Sequence, residues 1–219
     1  SMGNYIFNKK FLLRELYLDS AMNESSHDFG KDVIPKIYRD YPIYVYDFSN
    51  NRIPGESPDQ CMYWEDVGTI DAYYRANMTL RDVVPEINLY NDNWPIRTAP
   101  GQSPPAKFVF SGDETGERRG EALDSIVSGG CILSGGRVIR SVLSRDVRLH
   151  SFAEVEDSIV FSGVDIGEGA RVRRAIIDRG VVVPPGAKIG FDEEADREKY
   201  TVSDSGIVIL CRPELMPVT

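Results

Sequence analysis

Between Asp124 and Gly190 the aliphatic residues follow a register that neither an α-helix nor one alternating strand produces. Asp124-Ser-Ile-Val returns as Asp157-Ser-Ile-Val, with Arg140-Ser-Val-Leu between them and Arg174-Ala-Ile-Ile after, so the spacing is nearly constant. Within each unit aliphatic residues recur at gaps of five or six: Val127, Ile132, Val138, then Leu143, Leu149, Val155, then Val160, Ile166, Val172, then Ile177, Val183, Ile189. A helix repeats every 3.6 residues and a half-buried strand every two. Three aliphatics per coil instead predict three short strands, each sending one residue inward, in coils stacked about 4.8 Å apart by parallel hydrogen bonding. Glycine and proline fall near the expected corners, at Gly135-Gly136, Gly163, Gly169, Gly180 and Pro184-Pro185, where the chain needs positive φ or a preset φ. This stretch is read as a short parallel β-helix with open ends. The tail from Phe191, with its apolar run Ile207-Val-Ile-Leu, is a candidate cap.

The first hundred residues have another texture. Tyr5-Ile-Phe, Ile43-Tyr-Val-Tyr and Tyr63-Trp64 read as strands. Lys9–Leu18 and Asp28–Ile37 carry helical apolar spacing. Thr69 can cap a helix running through Tyr73 and Met78 to about Val84. Alternating strands and helices predict an α/β layer arrangement. The division is placed at 1–97 and 98–219, the second part holding a linker, the β-helix and the tail.

Charge narrows the function classes. The chain of 219 residues carries a formal net charge of −9, which argues against general nucleic-acid binding. No apolar run approaches the ~20 residues that cross a bilayer, and nothing near the start reads as a signal peptide. Cys61, Cys131 and Cys211 are odd in number and widely spaced, as expected of free thiols in a reducing compartment. The chain is expected to be cytoplasmic.

Several motifs, in order, carry a resemblance. Ser1-Met-Gly-x-Tyr-x-Phe, His27-Asp-Phe-Gly, Tyr63-Trp-Glu-Asp-Val-Gly-Thr, Tyr74-x-Ala-Asn-Met, Asn93-Trp-Pro-Ile-Arg-Thr and Pro104-Pro-Ala-Lys-Phe-Val precede Asp124-Ser-Ile-Val-Ser-Gly-Gly-Cys-Ile and Arg173-Arg-Ala-Ile-Ile-Asp-Arg-Gly. Together they resemble the bacterial ADP-glucose pyrophosphorylase (glucose-1-phosphate adenylyltransferase) family over essentially the whole chain. The resemblance implies the later part of a Rossmann-like nucleotidyltransferase domain, followed by a left-handed β-helix. The family's Gly-rich nucleotide loop and its Lys-Pro sugar-phosphate motif are not in this sequence. The expectation is therefore a C-terminal portion that makes no ADP-glucose by itself.

The implied reaction joins ATP to glucose 1-phosphate, giving ADP-glucose and pyrophosphate for glycogen synthesis. Two anions must meet, so Mg²⁺ and cationic side chains must neutralise charge. The resemblance assigns Asp66 to the metal and sugar site, Ser1 to the sugar, and Trp64 to a sugar platform. From the residues alone, Asp66 reads as a loop carboxylate capping the helix after Gly68, Trp64 as core and His27 as structural. The resemblance also implies an anionic metabolite effector and a homotetramer.

An anion site needs unpaired cations, and from Asp124 to Gly190 there are nine Lys plus Arg against eight Asp plus Glu. Stacking each unit on the next places Glu154 between Arg137 and Arg171, Asp157 between Arg140 and Arg174, Glu156 under Arg173, and Arg148 beside Asp165. Most arginines are thus paired along the outer face. The ladder Arg145, Ser162, Arg179 holds no carboxylate, with only the sequence neighbours Asp146 and Asp178 available to compensate. Arg179, in an Ile-Asp-Arg motif, matches the family's effector arginine, and Arg145 is the second candidate. Two alternatives remain. One is a non-catalytic regulatory or assembly module; the other is a hexapeptide-repeat acyltransferase, which would need a catalytic histidine and has only His150 in the repeat.

Overall fold

The computed structural model describes residues 2–57, 62–99, 101–112 and 118–212. They group into two compact units, Ser1–Trp64 and Glu65–Thr219. Cys131 and Cys211 are free thiols, as expected; Cys61 lies outside the described residues.

In the first unit, α1 (Lys9–Ser20) is capped by Asn8, whose Oδ1 accepts from the N–H groups of Lys10 and Phe11. Asp28 caps a π-wound turn, Phe29–Val33, that runs into α2 (Ile34–Ile37). The Asp19 carboxylate is buried and takes His27 Nδ1 at 2.8 Å, Ser25 Oγ at 2.7 Å and Lys36 Nζ at 3.0 Å. These donors hold its carboxyl down at about 2, and they give His27 a structural partner. The three predicted strands do not form here. Tyr5–Phe7, Ile43–Tyr46 and Tyr63–Trp64 are in no ladder among the described residues, and Ile6, Tyr44 and Val45 are 101%, 90% and 92% exposed. Apolar alternation supplies strand propensity, but a strand exists only where a neighbour completes its hydrogen bonds.

The second unit contains the β-helix. One sheet stacks β1 (Lys107–Val109), β4 (Ile132–Ser134), β7 (Arg148–Leu149), β10 (Asp165–Ile166) and β13 (Val182–Val183). A second stacks β2 (Glu121–Leu123), β5 (Arg137–Ile139), β8 (Glu154–Glu156), β11 (Arg171–Arg173) and β14 (Lys188–Ile189). The third stacks β3 (Ile126–Val127), β6 (Val142–Leu143), β9 (Ile159–Val160), β12 (Ala175–Ile177) and β16 (Val208–Leu210), with β15 (Thr201–Val202) antiparallel at its edge. All other pairs are parallel. The stack therefore begins at Lys107, before the first repeat visible in the sequence. The tail closes its far end, with β16 on β12 and Tyr200 and Val202 against the core.

The predicted inward residues from Val138 to Ile189 are buried, and Val127 packs partly buried at the margin. Ile132 is the exception. Leu133, 0% exposed, occupies that place, paired with Leu149, while Ile132 faces outward beside Arg148. The step from Leu133 to Leu149 is a residue shorter than the next one, from Leu149 to Ile166. A one-residue slip along a strand reverses the facing of every side chain.

One corner explains the repeated serine. Ser125, Ser141 and Ser158 each donate a hydroxyl to the carbonyl two residues back. Each accepts from the next coil's N–H, Ser141, Ser158 and Ala175 in turn, at 3.0 to 3.1 Å. The preceding residues Asp124, Arg140, Asp157 and Arg174 all hold φ between 44° and 48°. A polar ladder thus satisfies the backbone where the chain turns inside the wall.

The aliphatic just before each inward residue at this corner points out of the β-helix, not into it. Ile159 and Ile176 are 2% and 8% exposed because α3 (Ile70–Thr79) lies over them, burying Met78 and packing Tyr73 and Tyr74 against Val142 and Phe161. Thr69 caps α3 as expected, its Oγ1 accepting from Ala72 N–H at 3.2 Å, but the helix ends at Thr79, short of Val84. Asp82 N–H turns back onto Thr79 O, and Pro85 follows shortly after, a residue before which helices usually end.

Candidate functional site

Asp66 sits just ahead of α3 and is exposed. Its Oδ1 accepts the Gly68 N–H at 2.8 Å, which fixes the carboxylate in a tight turn. A β-carbon at position 68 would lie 3.0 Å from that oxygen. The second carboxylate oxygen has no hydrogen-bond partner among the described residues. The Thr69 hydroxyl, not Asp66, caps the helix; Asp66 is a loop carboxylate that holds the turn ahead of the cap and keeps one oxygen outward. Among the described residues no three His, Cys, Asp or Glu converge to hold a metal. A magnesium site assembled from one or two carboxylates, phosphates and water remains compatible with a single presented carboxylate. Trp64, in the other compact unit, is 46% exposed and is not the core residue that the bare sequence suggested. Ser1 lies outside the described residues.

The expected registers hold, but few of the expected ion pairs form: among the described residues Arg148, Arg171, Arg173 and Arg174 lie level with Asp165, Glu154, Glu156 and Asp157 without a salt bridge to them. Arg137 pairs with Glu121 at 2.8 Å and stacks between β2 and Glu154. Arg140 grips Asp157 through Nε and Nη2, both at 2.8 Å, and also reaches Glu156. These carboxylates push its pKa further up. Arg171 and Arg173 lie over the Phe191 ring, each 4.7 Å from its centroid. His150 Nε2 pairs with Asp165 at 2.8 Å, which gives that histidine a structural partner too.

Arg145 and Arg179 are exposed, and neither has an ion pair among the described residues. Backbone bonds from Gly163 to Arg145 and from Gly180 to Ser162, both 3.0 Å, align the ladder. The neighbouring carboxylates are used elsewhere: Asp146 takes the Ser103 hydroxyl and Asp178 takes the Arg179 N–H at 2.7 Å. The ladder also has a member that the sequence reading missed. The Ile177–Leu210 register of β12 and β16 places Arg212 level with Arg179, and Arg212 Nε donates to Arg179 O. Its guanidinium packs against Gly180, and that of Arg145 against Gly101; a β-carbon at either glycine would fall within 2.1 Å or 1.1 Å of a guanidinium nitrogen. Reading Ile207–Leu210 as another rung, not only as a cap, would have found Arg212.

Residues 1–83 match a family model described as Nucleotidyl transferase, and residues 104–210 match one described as GlmU-like, C-terminal hexapeptide. The chain is 47% identical over 218 residues to a glucose-1-phosphate adenylyltransferase of Anaeromyxobacter, covering 100% of this chain and 52% of the relative. It is 52% identical over 212 residues to the same-named protein of Koribacter versatilis, covering 97% and 49%. The chain belongs to the glucose-1-phosphate adenylyltransferase family. It spans about half the length of the curated relatives it matches. Within that family frame, Asp66 and α3 lie in the nucleotidyl transferase match, and the arginine ladder lies almost wholly in the hexapeptide match. No helix among the described residues is long and apolar enough to cross a membrane.

Proposed function

We propose that the chain forms part of an adenylyltransferase that makes ADP-glucose and pyrophosphate from ATP and glucose 1-phosphate for glycogen synthesis. The observation that carries this reading is the likeness along the whole chain to proteins of that name. In that reaction a sugar-phosphate oxygen attacks the α-phosphorus and pyrophosphate leaves. Mg²⁺, when bound, would supply positive charge to the crowded phosphates. Asp66 would offer its free oxygen to the metal and sugar site, with Trp64 and Ser1 on the sugar. The ladder Arg145, Arg179 and Arg212 would take an anionic metabolite effector, because unpaired guanidinium groups suit phosphate and carboxylate geometry. The assembled enzyme is proposed to be a cytoplasmic homotetramer.

The purified chain given ATP, glucose 1-phosphate and Mg²⁺ should make no ADP-glucose; synthesis by the chain alone would contradict this. When the chain replaces the matching half of the Koribacter relative, synthesis should return and fall at least ~100-fold with Asp66→Asn. In that enzyme Arg179→Ala should blunt activation and leave unactivated turnover nearly unchanged. A second reading, a non-catalytic regulatory or assembly module, is favoured by the position of the arginine ladder on the β-helix. It predicts that the hybrid assembles but gains no turnover.

A further inference from the structure

Helix α3 is held on the β-helix by three kinds of contact. Its Tyr74 hydroxyl donates to Asp157 O at 2.6 Å. Its Asp71 carboxylate accepts from the hydroxyls of Ser203, at 3.3 Å, and Ser205. Its Met78 and Tyr73 cover the outward aliphatics of β6, β9 and β12, with the Tyr73 and Phe161 rings stacked at 6.4 Å. The anchors at both ends are braced in turn. Asp157 is gripped by Arg140, and Ser205 O accepts from Arg174 Nη2 at 2.9 Å. Asp66 is only three residues ahead of the Thr69 cap, fixed by Gly68 N–H.

We infer that Tyr74 and Asp71 are positioning residues: they seat α3 on the β-helix and so hold the Asp66 carboxylate in its presented geometry. This rests on the proposed role of Asp66 only for its catalytic meaning; the geometric claim stands independently. The short lead from Asp66 to Asp71 leaves little slack, because the turn at Gly68 and the cap at Thr69 already fix most of it. The Asp71 grip is also linked along the chain to the arginine ladder. The Ser203–Ser205 loop runs directly into β16, and the chain beyond that strand carries Arg212 against Arg179. A displacement of the ladder would thereby reach α3 through one strand and one loop.

The test is NMR solvent exchange on the intact chain. The Gly68 amide reports the Asp66 bond, Ala72 reports the cap, and Phe161 and Asp178 report the coils beneath. Tyr74→Phe and Asp71→Ala should each speed Gly68 and Ala72 exchange roughly three- to tenfold and leave the coil amides unchanged. Asp71→Asn, whose side-chain oxygen still accepts from both serines, should restore slow exchange. Unchanged Gly68 exchange in both variants would overturn the inference, as would equal acceleration of the coil amides, which would mark a purely stabilising role. Failure of Asp66→Asn to impair the hybrid enzyme would instead remove the catalytic reading and leave the exchange result intact.

Discussion

The Tyr74 hydroxyl and the Asp157 carbonyl are 83 residues apart in the chain and 2.6 Å apart in the fold. That bond marks a sheet face that looks solvent-directed by register and is covered in fact. Ile159 faces away from the β-helix interior yet is 2% exposed. Ile159→Ala should therefore cost about 2–5 kcal/mol, the range for a buried aliphatic truncation. Urea unfolding followed by far-ultraviolet circular dichroism would measure it. A cost under about 1 kcal/mol, as for a surface substitution, would mean that α3 does not seal this face.

The slipped register gives a paired comparison. Leu133→Ala removes a side chain that is 0% exposed, whereas Ile132 stands on the outer face beside Arg148. The first should cost about 2–5 kcal/mol and the second less than about 1 kcal/mol. Equal costs would show that Ile132 shares the interior.

Phe152 occupies a corner that the adjacent coils fill with glycine. Gly135, Phe152, Gly169 and Gly186 align there, Phe152 N–H donating to Gly135 O and Gly169 N–H to Ser151 O, with φ of 60° at the phenylalanine. Left-handed backbone costs a bulky residue about 1–2 kcal/mol. Glycine recovers that and loses about 0.5–1 kcal/mol to the greater freedom of its unfolded chain. The ring is 48% exposed, so little packing is at stake. Phe152→Gly should leave stability unchanged or raise it by up to about 1 kcal/mol by thermal unfolding. A clear loss of stability, larger than the strain itself, would show that the ring is held by contacts that outweigh it.

Asp19 should make the first unit acid-sensitive. Its pKa is lowered to about 2 by His27, Ser25 and Lys36, against an unfolded carboxylate near ~3.9. The folded state thus binds this proton less readily than the unfolded one. The stabilisation is complete above about pH 4 and is lost as pH falls towards 2. Asp19→Asn should flatten that part of the pH profile in a titration read by the ring signals of Phe11 and Tyr41, which pack edge to face at 4.8 Å. An unaltered profile would assign the acid response to other groups.

The unpaired ladder should bind simple anions. Inorganic phosphate titrated into the chain should shift the side-chain Nε signals of Arg145, Arg179 and Arg212, with affinity falling as salt rises. Arg179→Ala should weaken binding several-fold, and Arg137→Ala, which removes a residue already paired with Glu121, should not. Equal losses in both would mean diffuse attraction rather than a site.

The repeat was readable from the sequence because each coil must bury one aliphatic per strand at a nearly constant step. The same step gave the registers of the arginines, since residues one coil apart are neighbours, but not all of their partners: Asp165 takes His150 rather than Arg148, and Arg171 and Arg173 lie over Phe191. The capping role of Thr69 was readable for the same reason: it depends on residues close in sequence. Tertiary structure decided everything that needed a distant partner. It set Leu133 in place of Ile132, because one coil is a residue short. It left Tyr5–Phe7 and Ile43–Tyr46 without ladders, because propensity cannot supply a neighbour. It brought Arg212 level with Arg179, because β16 adds a rung from 33 residues away. It also turned Val142, Ile159 and Ile176, the outward aliphatics of three successive coils, into the seat of α3, and so tied the Asp66 turn to the wall of the β-helix. A local period specifies which side chains face inward; only the packed chain specifies what covers those that face out.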